Sequence, residues 1–380
     1  MKILIIRMYP SKININSYNV QEIGLAKALI RKGNQCDIVF YNGNDESWIQ
    51  EIKFDIDKSL KIYWIKSKKI LSNAIYDKKI YQLAKEYDII QTEEYEQIGN
   101  LELYKKVKKP IVIYHGPYKS KFNKKYMLRS KICDMMYKKR LLRYNPCIIT
   151  KSYLATQYMK EKGFKRIYTI GVGLDSQKFS DNMSDEETKN IITEIYGKKV
   201  LLYIGEISKR RNVDFIIKIF NKLKKSRNDI KLVIIGKGEK KYLKKCKNII
   251  NKYNLSKDII YKERINQNNL KNVYENTSIF LLPTSYDIFG MVLLEAMYFG
   301  TPTITTYNGG SSTIIKNNIN GYIIKELNIE KWCNKINDIL DKNKGSVSDN
   351  ARLAICDYMW DELASKFIKI YEDNIQEGSE

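Results

Sequence analysis

The feature that most constrains the fold is a repeated alternation of short β-rich runs with helix-length segments. KILIIRM (2–8) and PIVIYHG (110–116) read as buried strands, whereas VQEIGLAKALIRKG (20–33) places apolar residues at helical spacing and ends in glycine. Strands joined by helix-length segments form βαβ units, and such units build parallel sheets. The sequence therefore predicts an α/β fold made of Rossmann-like, doubly wound parallel sheets.

The alternation restarts near Val200, after the acidic, polar stretch DNMSDEETKN (181–190). A chain of 380 residues exceeds the size at which single cores usually stop growing, about 250–300 residues. We therefore predict two domains facing across a cleft, residues 1–172 and 173–357. The tail has Trp360, Leu363, Phe367 and Tyr371 on one helical stripe, and we expect a helix at 358–375 that crosses back onto the first domain.

Several classes of protein are disfavoured by composition. The longest apolar runs fall far short of the roughly 20 residues of a membrane helix, and the first ten residues lack the pattern of a signal peptide. The 6 cysteines are scattered without a Cys-x-x-Cys pair, which argues against a zinc site and a disulfide scaffold. These features indicate a cytoplasmic protein.

The formal net charge of +24 indicates an anionic partner. Nucleic acid, an anionic membrane face and phosphorylated substrates all fit that charge. General enrichment in lysine is the alternative explanation, because net charge concerns association and not fold.

Ligands of doubly wound sheets bind at the carboxyl ends of strands, so residues directly after strands are the candidates for chemistry. His115, the only histidine, follows the strand PIVIY. A group that titrates near neutral pH is suited there to act as an acid, a base or a polar contact. A solvent-facing loop histidine is the alternative.

A second set of candidates follows strands of the second domain. Gly205 closes the strand VLLYIG, and Lys209, Arg210 and Arg211 come just before a helical pattern. Glycine lets a ligand approach the backbone, and cations beside a helix N-terminus suit a phosphate. Gly236 repeats the strand-glycine pattern in VIIGKGE. A solvated basic loop would show the same residues.

The stretch SYDIFGMVLLEAMYFGTP (285–302) carries the strongest signal. Asp287 lies in the loop before a predicted helix that opens at Phe289-Gly290, and Glu295 lies on the second turn of that helix. Backbone N–H groups at this helix start are free for an anion, and they belong to Phe289, Gly290, Met291 and Val292. Capping alone would explain Asp287. Glu295 requires another reason, since a carboxylate inside an apolar helix needs a partner.

This pattern resembles retaining, nucleotide-sugar-dependent glycosyltransferases of family 4 (GT4), which have the GT-B fold. The similarity lies in Asp287, Phe289-Gly290, Glu295-Ala296 and the Gly-Thr-Pro at 300–302, in that order. Upstream, GVGLDSQKF (171–179) resembles the family's interdomain connector. The resemblance extends over essentially the whole chain.

The resemblance implies a role for each matched residue. Glu295 would bind the ribose hydroxyls, Asp287 the donor sugar and Arg211 the diphosphate, with His115 near the transferred sugar and the acceptor. Asn16-Ser17 would replace the family's Gly-Gly loop. No cofactor and no metal are expected, because the nucleotide sugar is a co-substrate and cationic side chains with N–H groups would stabilise the leaving group.

Two departures from the family pattern affect the donor site. Asp287 stands where the family usually has glutamate, which shortens its reach by one methylene. Glu206 stands where the family usually has a phosphate-binding arginine, and we expect Lys209 or Arg210 to substitute for it.

The segment Lys119–Tyr144 is strongly basic, with a single acid, Asp134. As a helix it is predicted to be basic on one side and apolar on the other, which suits an anionic membrane face; an ordinary helix packed on the sheet is the alternative. The residues of the predicted membrane or acceptor face are Lys121, Lys124, Lys125, Arg129, Lys138, Lys139 and Arg140.

Together these features predict a hexosyltransferase-type enzyme of cell-envelope or polysaccharide biosynthesis. It would transfer a sugar, most simply from a UDP-sugar, to a glycan or polyprenyl-phosphate-linked acceptor at the inner face of the plasma membrane. Two alternatives remain open, a non-catalytic GT-B binder of nucleic acid or anionic polymer and a nucleotide-sugar epimerase. No nucleic-acid motif supports the first, and the acid-Phe-Gly-Glu-Ala pattern disfavours the second.

Overall fold

The computed structural model describes residues 1–16, 20–179, 185–341 and 345–377. The chain divides into two compact units, Met1–Asp175 with Tyr358–Glu380, and Ser176–Asp357. Both units consist of a sheet with helices, and the prediction of an α/β fold with parallel sheets is confirmed.

The first unit is built on an eight-stranded sheet in the order β10-β9-β8-β7-β1-β2-β4-β3. Its strands are β1 (Lys2–Ile6), β2 (Gln35–Tyr41), β3 (Trp48–Phe54), β4 (Lys58–Ile65), β7 (Ile89–Glu93), β8 (Ile111–His115), β9 (Cys147–Thr150) and β10 (Ile167–Thr169). A separate hairpin is formed by β5 (Ser67–Ile70) and β6 (Asn73–Tyr76). The helices are α1 (Gln21–Arg31), α2 (Lys79–Lys85), α3 (Ile98–Lys106), α4 (Lys124–Cys133), α5 (Lys139–Leu142), α6 (Tyr153–Glu161) and α15 (Trp360–Glu377), with a π-helical turn at Asp134–Lys138.

The centre of this sheet forms as its sequence predicts. The described side chains of β1 after Lys2 are fully buried, because a parallel strand is covered by helices on both faces. Strands β3, β5 and β6 were not predicted. β3 pairs antiparallel with β4 at the sheet edge and carries polar residues and an exposed Trp48, so it lacks the continuous apolar run of a central strand.

Helix α15 returns the chain to the first unit. Trp360, Leu363, Phe367 and Tyr371 are buried, as expected of one apolar stripe. The Tyr371 hydroxyl donates a hydrogen bond to Gln91 Oε1 of β7 at 2.5 Å. The first unit is thus assembled from two stretches of sequence that are far apart.

The second unit has a six-stranded, entirely parallel sheet in the order β13-β12-β11-β14-β15-β16. Its strands are β11 (Lys199–Ile204), β12 (Ile230–Ile235), β13 (Ile259–Lys262), β14 (Ile279–Leu282), β15 (Thr303–Thr305) and β16 (Tyr322–Ile323). Its helices are α7 (Glu186–Ile195), α8 (Val213–Lys224), α9 (Lys240–Lys252), α10 (Leu270–Glu275), α11 (Met291–Tyr298), α12 (Ser311–Ile314), α13 (Ile329–Asp341) and α14 (Gly345–Cys356). Across the described parts of both units, the helices are too short or too polar to cross a membrane.

Candidate active site

The topology of the second sheet brings two predicted loops together. β11 pairs with β12 on one side and with β14 on the other, so the strand order reverses between β11 and β14. At such a switch point the loops leave the carboxyl ends of the two strands in opposite directions and open a crevice for a ligand. These loops are residues 205–212 and 283–290, which hold most of the predicted donor-site residues.

Hydrogen bonds join the two loops directly. Asn212, in a left-handed conformation with φ 53°, donates from its amide to the Pro283 carbonyl at 2.7 Å and to the Ser285 hydroxyl at 2.8 Å. The Ser285 N–H bonds the Arg210 carbonyl at 2.9 Å. The crevice is therefore held by backbone and amide contacts before any ligand binds.

Arg211 and Asp287 form an ion pair across the crevice, Nη1 to Oδ2. Both side chains are 13% exposed, so each reaches solvent with only part of its surface. The predicted diphosphate-binding cation and the predicted sugar-binding acid thus position one another. Arg211 has further N–H donors that a phosphate can accept.

The other charged residues of the loop at 205–212 have different surroundings. Arg210 donates from Nη1 to the Tyr286 carbonyl and lies 3.3 Å from the Glu206 carboxylate. Lys209 is exposed. Arg210, one of the two predicted substitutes for a phosphate-binding arginine, is thus already engaged with Tyr286 and Glu206. Lys209, the other, is the more exposed of the two.

Helix α11 begins at Met291, two residues later than predicted. Gly290 takes a left-handed conformation with φ 81°, which ends the loop and starts the helix. The N–H groups of Met291 and Val292 lie in the first turn, where the helix itself supplies no acceptor. Phe289 is buried beneath this turn.

The loop before α11 is supported by a glycine pair. A Cβ added to Gly309 would stand 1.9 Å from the Ile288 carbonyl oxygen, and one added to Gly310 would stand 1.7 Å from the Phe289 carbonyl oxygen. Only glycine allows the backbone at 308–310 to approach this closely. The segment NGGSSTII therefore fixes the shape of the loop that holds Asp287.

Gly236 is likewise required by a close approach between two stretches of backbone. A Cβ at this position would lie 1.8 Å from the Gly205 carbonyl oxygen. The backbone after β12 thus packs directly against the backbone after β11, and this contact requires glycine at position 236. Gly205 is favoured for a different reason, its positive φ of 146°.

Glu295 is completely buried. Its Oε2 accepts a hydrogen bond from the Tyr274 hydroxyl at 2.9 Å, while its Oε1 has no hydrogen-bond partner in the described parts of the chain. Burial raises the pKa of this carboxyl to about 8. The acid within this apolar helix is thus a buried carboxyl whose one hydrogen-bonding side-chain contact in the described parts of the chain is with Tyr274.

In the first unit, His115 lies at the carboxyl end of β8 and is fully buried, so it is not a solvent-facing loop residue. Its Nδ1 lies 2.7 Å from Oε2 of Glu94, which follows the neighbouring strand β7. The same oxygen accepts the Gly116 N–H at 3.2 Å. Burial raises the pKa of Glu94, but His115, Lys151 and the Gly116 N–H together lower it by more, so the net shift is downward.

Glu94 also holds a backbone conformation that glutamate rarely adopts, with φ 51°. Such a conformation costs of order 1–3 kcal/mol and persists where surrounding contacts enforce it. Here the Glu94 N–H bonds the Tyr114 carbonyl at 3.2 Å, and Asn100 donates to the Glu94 carbonyl at 2.8 Å. Strain of this kind is typical of functional sites.

A second acid and a half-buried cation complete this cluster. Arg129 of α4 lies 2.6 Å from Oε1 of Glu96, and the Glu96 side chain is fully buried. Burial, followed by the nearby charge of Glu94, raises the pKa of Glu96. Arg129 was predicted to lie on a membrane or acceptor face. Its guanidinium pairs with this buried acid while 28% of the side chain stays exposed, so a role on that face stays a prediction.

The side chains of Glu94, Glu96 and His115 offer ligand atoms within 4.8 Å of one another, a set able to hold a metal ion. Both carboxylates already have a basic neighbour, His115 for Glu94 and Arg129 for Glu96. This arrangement fits a hydrogen-bonded acid-base cluster better than a cation site. Metal independence stays a prediction.

The remaining predicted residues lie on loops and on α4. Asn16 is exposed, and its N–H bonds the Asn14 side chain at 3.0 Å. Ser17 lies outside the described residues. Lys121, Lys124, Lys125, Lys139 and Arg140 are exposed and Lys138 is half-buried, as a basic surface requires.

Sequence reasoning missed Tyr274, Glu94 and Glu96. Tyr274 lies 21 residues before Glu295 on another helix, so no local pattern connects the two. The acids had a usable signal, because TEEYE (92–96) comes shortly after the apolar pair Ile89-Ile90, and ligand-binding residues of such sheets lie at the ends of strands.

Comparison with known proteins shows what this chain is similar to in sequence and in fold. Residues 184–354 match the sequence model of the family described as glycosyl transferases group 1. HepE of Anabaena, crystallised with UDP and with UDP-glucose, is similar in structure, with a TM-score of 0.72, 14% identity and coverage of 98% of this chain and 100% of that chain in the UDP complex. The fold is therefore the GT-B fold of glycosyltransferases, as predicted.

Curated relatives are similar over part of the chain. An uncharacterised glycosyltransferase of Methanocaldococcus jannaschii is 26% identical over 214 residues, 54% of each chain. The lipopolysaccharide 1,2-N-acetylglucosaminetransferase of Salmonella typhimurium is 26% identical over 232 residues, 58% of this chain and 60% of the relative. The chain thus spans little more than half the length of these relatives.

Proposed function

We propose that this protein is a retaining, GT4-type glycosyltransferase that uses a nucleotide sugar, with UDP-sugars as the first class to test. The observation that carries the proposal is the Arg211–Asp287 pair at the β11/β14 switch point, beside the first turn of α11. A cation and helix N–H groups suit the diphosphate, and the carboxylate suits sugar hydroxyls.

The chemistry follows from these contacts. As the bond between the anomeric carbon and the phosphate oxygen breaks, negative charge grows on the diphosphate. Arg211 and the N–H groups of Met291 and Val292 stabilise that charge from fixed positions. The acceptor hydroxyl forms the new bond to the anomeric carbon, and its proton leaves with the diphosphate. Asp287 orients the sugar throughout.

Two similar proteins support the proposed donor and acceptor classes. HepE binds UDP and UDP-glucose, and the Salmonella relative is a lipopolysaccharide glycosyltransferase by name. We infer a glycan or lipid-linked glycan acceptor in cell-envelope or polysaccharide synthesis for this chain as well. A lipid-linked acceptor is presented at the cytoplasmic face of the plasma membrane, which accords with the net charge of +24.

Calorimetric titration with UDP, GDP and ADP tests the donor site. We expect saturable binding of one nucleotide, weakened about tenfold or more by Arg211→Ala, because a charge-assisted contact to phosphate is lost. Arg227→Ala is the matched control, since Arg227 pairs with Asp229 and Asp341 instead. Absence of binding by all three nucleotides, or equal binding by Arg211→Ala, contradicts the assignment. Release of nucleotide from a UDP-sugar with acceptor then tests transfer.

A further inference from the structure

The outer face of α4 and the following π-helical turn carries four large apolar side chains in solvent. Leu128 is 63% exposed, Ile132 48%, Met135 80% and Met136 61%. Their spacing of three and four residues places them on one face of the helix. We call these four residues the apolar ridge.

The ridge is not the face that packs on the unit. Tyr126, Ser130, Cys133, Tyr137 and Leu141 are buried, each at most 5% exposed. They also recur every three or four residues, on the opposite side. The predicted division into one basic and one apolar side is therefore incomplete, because a second apolar stripe shares the basic face. A helix packed on one side ordinarily exposes polar residues on the other.

The π-helical turn at Asp134–Lys138 contributes to this display. Its wider turn carries two consecutive methionines, Met135 and Met136, both in solvent. Such turns are rare in proteins, and those that do occur are often found at functional sites. Methionine is flexible and adapts to irregular apolar surroundings.

Basic side chains surround the ridge. None of the following nine forms an ion pair with a residue in the described parts of the chain: Lys119, Lys121, Lys124, Lys125, Lys131, Lys138, Lys139, Arg140 and Arg143. A partner must therefore be both anionic and apolar. A second copy of this chain brings the same positive charge, and nucleic acid offers nothing to aliphatic side chains.

A pocket of about 470 Å³ adjoins the ridge through Leu128. Its lining includes Lys119, Lys131, Lys138 and Lys162. Lys162 is already paired with Asp134, and Glu161 also lines the pocket, so the four lysines outnumber the two acids and leave a net positive charge. A pocket of this charge beside exposed apolar groups suits a phosphate headgroup.

We propose that the apolar ridge inserts into the interface of an anionic phospholipid bilayer while the surrounding lysines and arginines bind its headgroups. The inference rests on the membrane location proposed above and adds the mode of attachment. Attraction of basic residues to headgroups is screened by salt, whereas insertion of apolar groups is not. Attachment should therefore have a salt-sensitive part and a salt-resistant part.

Flotation with vesicles of equal parts phosphatidylglycerol and phosphatidylcholine tests the two parts separately. We expect the full chain to float at low salt and a fraction to stay bound at about 1 M salt, where the screening length is about 3 Å. Changing all four ridge residues to Gln should abolish the salt-resistant fraction and weaken low-salt binding about tenfold or more. Lys124→Gln with Lys125→Gln and Lys139→Gln should weaken low-salt binding and spare the salt-resistant fraction.

Leu353→Gln is the matched control, because Leu353 is 69% exposed on α14 of the second unit. It should float like the unchanged chain. Brominated lipids should quench the fluorescence of the tryptophan introduced by Met135→Trp but not that introduced by Leu353→Trp. Quenching at position 135 would report insertion of the ridge directly. Circular dichroism checks that each variant is folded.

Three results would overturn the proposal: no flotation of the unchanged chain, equal flotation of the four-residue variant at both salt concentrations, or a dimer that depends on the ridge. The assay contains neither donor nor acceptor. A negative flotation result would therefore not contradict nucleotide binding or sugar transfer. Negative nucleotide-binding or transfer assays would likewise not contradict vesicle binding.

Discussion

At the scale of single residues, the two acids of the 285–302 segment have opposite environments. Asp287 faces the Arg211 guanidinium. Glu295 is fully buried, and only the Tyr274 hydroxyl bonds its side chain in the described parts of the chain. A charge without a counter-charge is costly inside a protein, so Glu295 holds a proton at neutral pH. The two carboxyls therefore serve different purposes before a ligand arrives.

The raised pKa of Glu295 makes folding depend on pH. Between about 4.5, its ordinary pKa, and about 8, its folded pKa, the folded chain holds a proton that the unfolded chain has lost. The free energy of unfolding must fall as pH rises through that window. Glu295→Gln should remove this contribution and raise the free energy of unfolding at pH 8 by about 1 kcal/mol or more.

Urea unfolding at a series of pH values measures this effect. Glu275→Gln, at an exposed position on α10, is the control and should keep the pH dependence of the unchanged chain. An unaltered slope in Glu295→Gln would show that the buried carboxyl is ionised.

Glu94 is a second acid whose role depends on the residue that it contacts. Its carboxylate lies 2.7 Å from Nδ1 of His115, so it contacts one edge of the fully buried ring. Glu94 thus acts on the imidazole as a positioning residue.

Glu94→Gln should lower the kcat of sugar transfer about 10–100-fold with little change in donor KM, because the imidazole loses its orienting charge. The pH dependence of kcat should shift as well. Combined with His115→Ala, which itself should lower turnover more than donor affinity, the change should have no additional effect. Glu102→Gln on the surface of α3 is the control. Additive losses in the double variant would contradict positioning.

Among the elements, the proposed donor site depends on how closely neighbouring loops approach one another. The loop before α11 lies against Gly309 and Gly310, and the loop after β11 lies against Gly236. These contacts join residues that follow different strands of one sheet. The position of Asp287 is therefore a property of three packed loops together.

Gly310→Ala should displace the loop before α11, since its Cβ would stand 1.7 Å from the Phe289 carbonyl oxygen. We expect nucleotide binding to weaken about tenfold or more and stability to fall by about 1–3 kcal/mol. Gly345→Ala is a matched control, because no atom lies within 4 Å of its added Cβ. Titration calorimetry and thermal unfolding report the two effects. Equal behaviour of the two variants would contradict this account.

At the scale of the whole molecule, the first unit is closed by the end of the chain. The Trp360 ring fills a slot that exists because two glycines lack side chains. A Cβ would stand 2.3 Å from the ring at Gly24 and 2.2 Å from it at Gly173. Helix α1, the segment after β10 and helix α15 meet at this ring.

Trp360→Ala should therefore cost about 3–5 kcal/mol of stability, as expected for a large buried side chain. The loss should appear in unfolding followed by circular dichroism and in faster proteolysis of the first unit. Tyr196→Ala, at a position 85% exposed, should change stability by less than about 0.5 kcal/mol. A small effect at Trp360 would mean that α15 does not hold this unit together.

Much of this organisation was predictable because it rests on local patterns. Buried runs predict β1 or β11 whatever the rest of the chain does, and the stripe on α15 predicts its buried side. Edge strand β3 lacked such a pattern and was missed. The apolar ridge on α4 was missed for another reason. Apolar residues occur on both faces of this helix, so the sequence shows no clear helical period there.

Local patterns along the chain specify the α/β class, the restart that produces a second sheet, and the placement of candidate residues after strands. Which of these residues meet depends on how the strands and loops pack in the folded chain. Arg211 and Asp287 are 76 residues apart and Glu94 and Gly116 are 22 apart, yet each pair is in contact. Hydrophobic periodicity depends only on residues within the same helix or strand. Contacts between distant residues form where the ends of neighbouring parallel strands pack side by side, and no local pattern predicts them.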